Sequence, residues 1–91
     1  STAIINQALT EGGKAFEAKN YDLAIAKFEE GYQADPEFAG SAPVLLNNKS
    51  LALLRRAIDR YNLIPKDAAP TARLEALSNV KKDLMDVVDG S

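Results

Sequence analysis

The sequence predicts an all-α domain of four helices, and three observations lead there. Four segments repeat their apolar residues at spacings of three and four, and none shows the alternation of a strand. The breaks between them carry the residues that interrupt helices: Asn20, Asp35-Pro36, Pro65 and Gly90. The balance of 46% hydrophobic and 26% charged residues is that of a folded soluble chain.

The first helix is expected over about 3–19, with Ile5, Ala8, Leu9, Gly12, Ala15 and Phe16 on one face. Asn20 ends it, because asparagine tolerates the left-handed cap conformation. A second helix follows over 21–34, burying Tyr21, Ala24, Ile25, Phe28, Gly31 and Tyr32 and turning Lys27, Glu29, Glu30 and Gln33 to water. Asp35-Pro36 stops it, since the residue before proline is pushed out of helical geometry. Residues 37–41 read as a linker. Ser41 is the expected N-cap of a third helix over 42–61, with Pro43 tolerated in its first turn. That helix carries a dense apolar stripe (Val44, Leu45, Leu46, Leu51, Leu53, Leu54, Ala57, Ile58 and Tyr61), wider than one core face needs, which places it centrally, touched on more than one side. After a loop over 62–69, a fourth helix spans about 70–88 with Leu74, Leu77, Val80 or Lys81, Leu84 and Val88 in step, closed by Asp89-Gly90-Ser91. Short loops make neighbours antiparallel, and 1–91 is one domain.

Composition narrows the chemistry. With no His, no Cys and no Trp, the chain has no imidazole base, thiol nucleophile, disulfide or Cys/His zinc site. Eleven basic against thirteen acidic residues leave a net charge of -2, so a nucleic-acid partner is not expected. No apolar run approaches the roughly 20 residues of a membrane span. No nucleophile–base pair or phosphate loop stands out, so neither enzymatic activity nor a cofactor is expected. Glu29-Glu30 and the C-terminal Asp83, Asp86 and Asp89 lack an accompanying ligand pattern, and no metal site is expected. A start at Ser1-Thr2-Ala3 suggests a piece of a larger protein or a processed one. The composition fits cytoplasm, periplasm or the outside, with the cytoplasm slightly favoured.

Gly12, Tyr21, Ala24, Phe28, Gly31 and Asp35-Pro36 together resemble a tetratricopeptide repeat, a helix pair of about 34 residues. Small residues stand where such helices cross, and Phe28 fills the groove between them. The likeness covers about residues 5–36 well. It departs from the family at Ala8, Glu11 and Ala15, where larger residues are usual. Residues 42–54 match loosely, with Ser50 in the small slot and Arg55–Tyr61 continuing as helix where a repeat would turn.

The resemblance implies a four-helix antiparallel tetratricopeptide-like array that binds a protein partner, as an extended peptide or an amphipathic helix, along the face lined by the first helix of each unit. On helix one it points to Asn6, Leu9, Gly13, Phe16 and Glu17. On helix three it points to Val44, Asn47, Asn48, Leu51 and Arg55. Apolar periodic positions are more often packing than contacts, and Leu9, Phe16, Val44 and Leu51 are read that way first. Adjacent Asn47 and Asn48 are poor helix formers inside a Leu-rich helix. Either they grip a peptide backbone with paired donor and acceptor, or they satisfy a loop carbonyl. A clamp for a C-terminal carboxylate is not expected, because Leu9 and Gly13 stand where the family's clamp has Lys and Asn. Lys49, Arg56 and Arg60 form a basic stripe that either faces solvent or meets the acidic end of helix four. The alternative to a binding module is an assembly domain that self-associates through spare helix faces, giving a homo-oligomer.

Overall fold

A computed structural model describes residues 2–38 and 40–90. The chain forms α1 (Thr2–Glu17), α2 (Tyr21–Ala34), α3 (Ala42–Asn62) and α4 (Pro70–Asp89), with no strand among the described residues. Ser1, Ala39 of the expected linker and Ser91 of the expected C-terminal cap lie outside the described residues.

The α1–α2 connection differs from expectation by two residues. Lys19, not Asn20, takes the left-handed conformation, at φ 63°. Asn20 N–H then donates to Ala15 O and Lys19 N–H to Phe16 O, the paired bonds that close a helix with a left-handed residue just past its end. This frees Asn20 to cap α2, where its side-chain oxygen accepts from Leu23 N–H at 3.4 Å. Ser41 occupies the N-cap position of α3 as expected, but its hydroxyl makes no cap bond. Pro43, at the second helical position, has no N–H to offer, and among the described residues the buried Ser41 Oγ has no hydrogen-bond partner. Gly90 ends α4 in right-handed geometry at φ -79°.

Each helix packs against its neighbours in sequence and runs back along the one before it. On α1 and α2, Phe16 meets Tyr21 edge to face at 5.5 Å, while Ala8 lies over Gly31. Small residues set this approach. A Cβ on Gly12 would stand 2.5 Å from the Phe28 ring, and one on Gly31 would stand 2.6 Å from Ala8 Cβ. The core is centred on this contact and extends onto α3: Ile5, Ala8, Ala15, Ala24, Phe28, Leu45 and Ala52. Lys27 bridges to Glu11 at 3.0 Å and Lys49 to Glu29 at 3.0 Å, joining α2 to each neighbour.

The α3–α4 contact is built differently. Asp83, 1% exposed, takes both prongs of Arg56: Nε donates to Oδ2 at 3.1 Å and Nη2 to Oδ1 at 2.6 Å. Arg60 Nη1 donates to the same Oδ2 at 3.0 Å, and the third prong of Arg56 reaches Asp22 on α2 at 2.9 Å. The bond to Asp83 is the main reason that Arg56 holds its proton more tightly than usual, with burial opposing and Asp22 adding to it. Of the two places open to the basic stripe, Arg56 and Arg60 therefore take the acidic end of α4. Lys49 instead pairs within the array, with Glu29, while Asp86 and Asp89 stay exposed.

This ion pair corrects the expected face of α4. Val80 and Asp83 are its buried residues, whereas Leu74 and Val88 are 69% and 71% exposed and Leu77 and Leu84 also reach solvent. The face that meets α3 follows Arg73, Ala76, Val80, Asp83 and Val87, because a buried carboxylate between two guanidinium groups must face them. Arg73 also donates to Pro65 O and Lys66 O, holding the preceding loop against the helix. The result is long and one helix thick, 48 × 25 × 13 Å. Its radius of gyration of 14.8 Å exceeds the roughly 12 Å of a rounded domain this size.

Three outcomes follow from this packing. Gly12→Ala is expected to lose about 1–3 kcal/mol in urea unfolding, because the aromatic ring against it cannot yield cheaply. Gly13→Ala, whose Cβ meets nothing within 4 Å, is expected to gain about 0.5–1 kcal/mol by its helix propensity. Asp83→Ala takes the shared carboxylate from Arg56 and Arg60, whose side chains are 22% and 39% exposed and stay partly hydrated, a loss on the order of 1–3 kcal/mol. Amide exchange should show α4 losing protection while α1 and α2 keep theirs.

Acid sensitivity follows from two carboxylates. Glu11 is held below its ordinary 4.5 by Lys27 and Gln7, and Glu29 by Gln33 and then Lys49, with burial opposing in each case. A carboxylate lowered on folding stabilises the folded state above its ordinary value, and that support fades as pH falls through the lowered value. Melting temperature should therefore drop on acidification below about pH 4.5, and drop less steeply in Glu29→Gln.

Candidate partner-binding channel

α1 and α3 stand on either side of α2, so their outer turns wall a channel with α2 at its base. At its centre is a hollow of about 120 Å³ lined by Gly13, Phe16, Glu17, Phe28, Asn48 and Leu51. The geometry is local in origin. Gly13 follows Gly12, so while Gly12 is pressed on Phe28 the next position turns about 100° away and opens towards the channel. Phe16 closes one end of the floor and packs its edge on Tyr21. On α3, Asn48 and Leu51 lie one turn apart on the opposite wall, with Val44 and Arg55 continuing that wall in either direction.

Of the ten residues that the sequence nominates, the structure brings five into this hollow: Gly13, Phe16, Glu17, Asn48 and Leu51. Leu9 is half-buried against the core, as a packing residue would be. Asn6 and Arg55 are exposed on the outer turns of α1 and α3. Val44 and Leu51, read first as packing, are 47% and 40% exposed. That is a correction, and its cause is the single layer of helices: α3 buries its sides against α2 and α4 and leaves its channel face open.

Asn47 is also corrected. It lines a separate hollow with Pro43, Leu46, Ser50 and Gly90, between the start of α3 and the end of α4. Consecutive residues of a helix point about 100° apart, so the two asparagines cannot share one wall. Asn48 is half-buried, and among the described residues its amide makes no hydrogen bond to the protein. It satisfies no loop carbonyl among the described residues.

Phe28 is the lining residue that sequence reasoning placed elsewhere, in the α1–α2 groove alone. One ring edge does meet Gly12, and the ring also reaches the channel floor. The spacing of small residues on α1 was the available signal, because glycines at both 12 and 13 strip two adjacent sides of the helix around that ring.

The channel's polar groups are an amide, the Glu17 carboxylate and, at the same end of α3, the Arg55 guanidinium. Such a set can hold a backbone amide and an aliphatic side chain, and it contains no nucleophile beside a base. Among the described residues no three Asp or Glu gather where a metal could be held. Glu29 is engaged by Lys49 and Gln33, and Glu30 by Lys27. No helix among those residues is long and apolar enough to cross a membrane. No protein family, curated protein or solved structure matches the chain.

Proposed function

We propose that the chain is a non-enzymatic protein–protein interaction module, tetratricopeptide-like in plan, that takes an extended peptide in the channel between α1 and α3. The observation that carries this reading is Gly13. A glycine inside a helix costs about 0.5–1 kcal/mol against alanine. No neighbour requires it, since the space above it is empty to 4 Å. A residue that weakens its helix with no packing return, on the wall of an apolar hollow, keeps room for something that is not part of the fold.

The hollow's size favours a single side chain over a whole helix. At about 120 Å³ it is comparable with the roughly 150 Å³ cavity that admits one benzene ring. Phe16, Phe28 and Leu51 would surround an aliphatic side chain, while Asn48 offers the peptide bond beside it both a donor and an acceptor. Arg55 and Glu17 flank the far end and select the peptide's charge there.

Panning a displayed peptide library against the chain tests this. Selected peptides should share an aliphatic anchor. Gly13→Leu, which fills the hollow from its own wall, should abolish their binding while keeping the melting temperature. Asn48→Ala should weaken it about five- to tenfold, the loss of roughly one hydrogen bond. Peptides that bind both variants as well as the parent, or a library with no binders, would reject the reading.

A further inference from the structure

We propose that the outer face of α3 and α4 is a second interface, separate from the channel, and that it is covered by another copy of this chain in a two-fold dimer. Four features argue for that occupant.

The first is where the uncovered apolar residues lie. Arg56 binds Asp83 and also Asp22, so the Asp83 edge of α4 is the edge turned towards α2. Leu77 and Leu84 project from the opposite edge of the same contact. On α3, Leu54 and Tyr61 lie beyond the buried Ala57, on that same side. The two helices thus present one continuous apolar face, and Leu74 and Val88 extend it along α4. A patch of this extent on a small domain marks an interaction surface.

The second is area. Helices of 21 and 20 residues are each about 30 Å long and sit about 9 Å apart, giving a face of roughly 600 Å². Two copies would bury roughly 1,200 Å², the lower end of the specific range.

The third is the spacing of the α4 stripe. Leu74, Leu77, Lys81 and Leu84 are separated by three, four and three residues, a pattern that reads the same in both directions. An antiparallel two-fold pairing therefore sets Leu74 against Leu84 of the second copy and Leu77 against Lys81 of the second copy. No lysine faces itself, and the Lys81 stem covers a leucine while its ammonium reaches water.

The fourth is the other end of the array. The outer face of α1 carries Gln7, Thr10 and Lys14, all exposed, and Ile4 sits off that face, in line with Glu11 at the α2 edge. A head-to-tail stack would set the apolar face of one copy on the polar face of the next. Only a face-to-face pairing buries both apolar surfaces, and it closes at two copies rather than growing into a filament.

Sedimentation equilibrium of the full chain, together with disulfide trapping, tests the dimer. The mass should rise from that of one chain to that of two, with half-dimerisation on the order of 10–100 µM. Leu74→Glu, at an exposed position where the fold is not at risk, should stay monomeric with unchanged helix content and melting temperature. Because the chain has no native cysteine, the register can be read directly. A mixture of Leu74→Cys and Leu84→Cys chains should form the crossed disulfide at least tenfold faster than either variant forms its own. A chain that stays monomeric well above that concentration would overturn the proposal and leave the face to a different partner. Growth beyond two copies, or self-linking as fast as crossed linking, would overturn it as well. Gly13→Leu should dimerise normally, which keeps this outcome separate from that of the channel.

Discussion

The Asp83 carboxylate, held between Arg56 and Arg60, is the contact on which the second half of the molecule depends. Among the described residues of α4, Val80 and Asp83 alone are buried, so a carboxylate stands at the centre of the face that meets α3. Removing a carboxylate from water is expensive, and the interior returns that only when its oxygens are well bonded. Here three guanidinium hydrogen bonds from two arginines meet two oxygens, and the third prong of Arg56 continues to Asp22. One arginine thereby ties α2, α3 and α4 together. The arrangement is directional as well as strong. It sets the rotation of α4 about its own axis, which decides that the leucine stripe faces outward.

The first half of the chain is held in another way. Gly12 and Gly31, with Ala8 and Ala24, let two helix backbones come close enough for Phe28 to lie between them. That approach depends on the absence of side chains and tolerates little addition. The array is thus closely packed and apolar at α1–α2 and joined through ion pairs at α3–α4. In a layer only 13 Å thick, no helix can bury its whole circumference. The open faces that result are the channel over α2 and the outer surface of α3 and α4. Both candidate interfaces come from the same constraint, a single layer of helices that leaves apolar residues uncovered on its faces.

Much of the fold was legible in the residues. Spacing located all four helices to within two residues at their ends, since a helix that buries one side must repeat at three and four. Half of the nominated site residues meet in one hollow, because each wall is a single helix whose face follows from residue number. The misses share a physical origin. Lys19 in place of Asn20 is decided by which bonds close the turn, and a tendency to adopt the left-handed region does not say which of two neighbours will do so. Ser41 has the composition of a cap, but among the described residues its hydroxyl finds no partner, which depends on side-chain orientation rather than residue type. Leucines at 74, 77, 84 and 88 spell a helical face as convincingly as Ala76, Val80, Asp83 and Val87, and hydrophobicity alone prefers the leucines.

By itself, then, the sequence determined the class of the protein: four helices, their order and breaks, the close α1–α2 crossing through its glycines, and an inventory without imidazole or thiol. Those properties are local, fixed by periodicity, sterics and composition. Only the tertiary structure decided which face of α4 is inside, which of two neighbouring asparagines lines the channel, and where the basic stripe finds its acid. These depend on contacts between residues twenty or more positions apart. An ion pair of that kind overrides a leucine stripe because an unpaired carboxylate in the interior costs more than an exposed leucine.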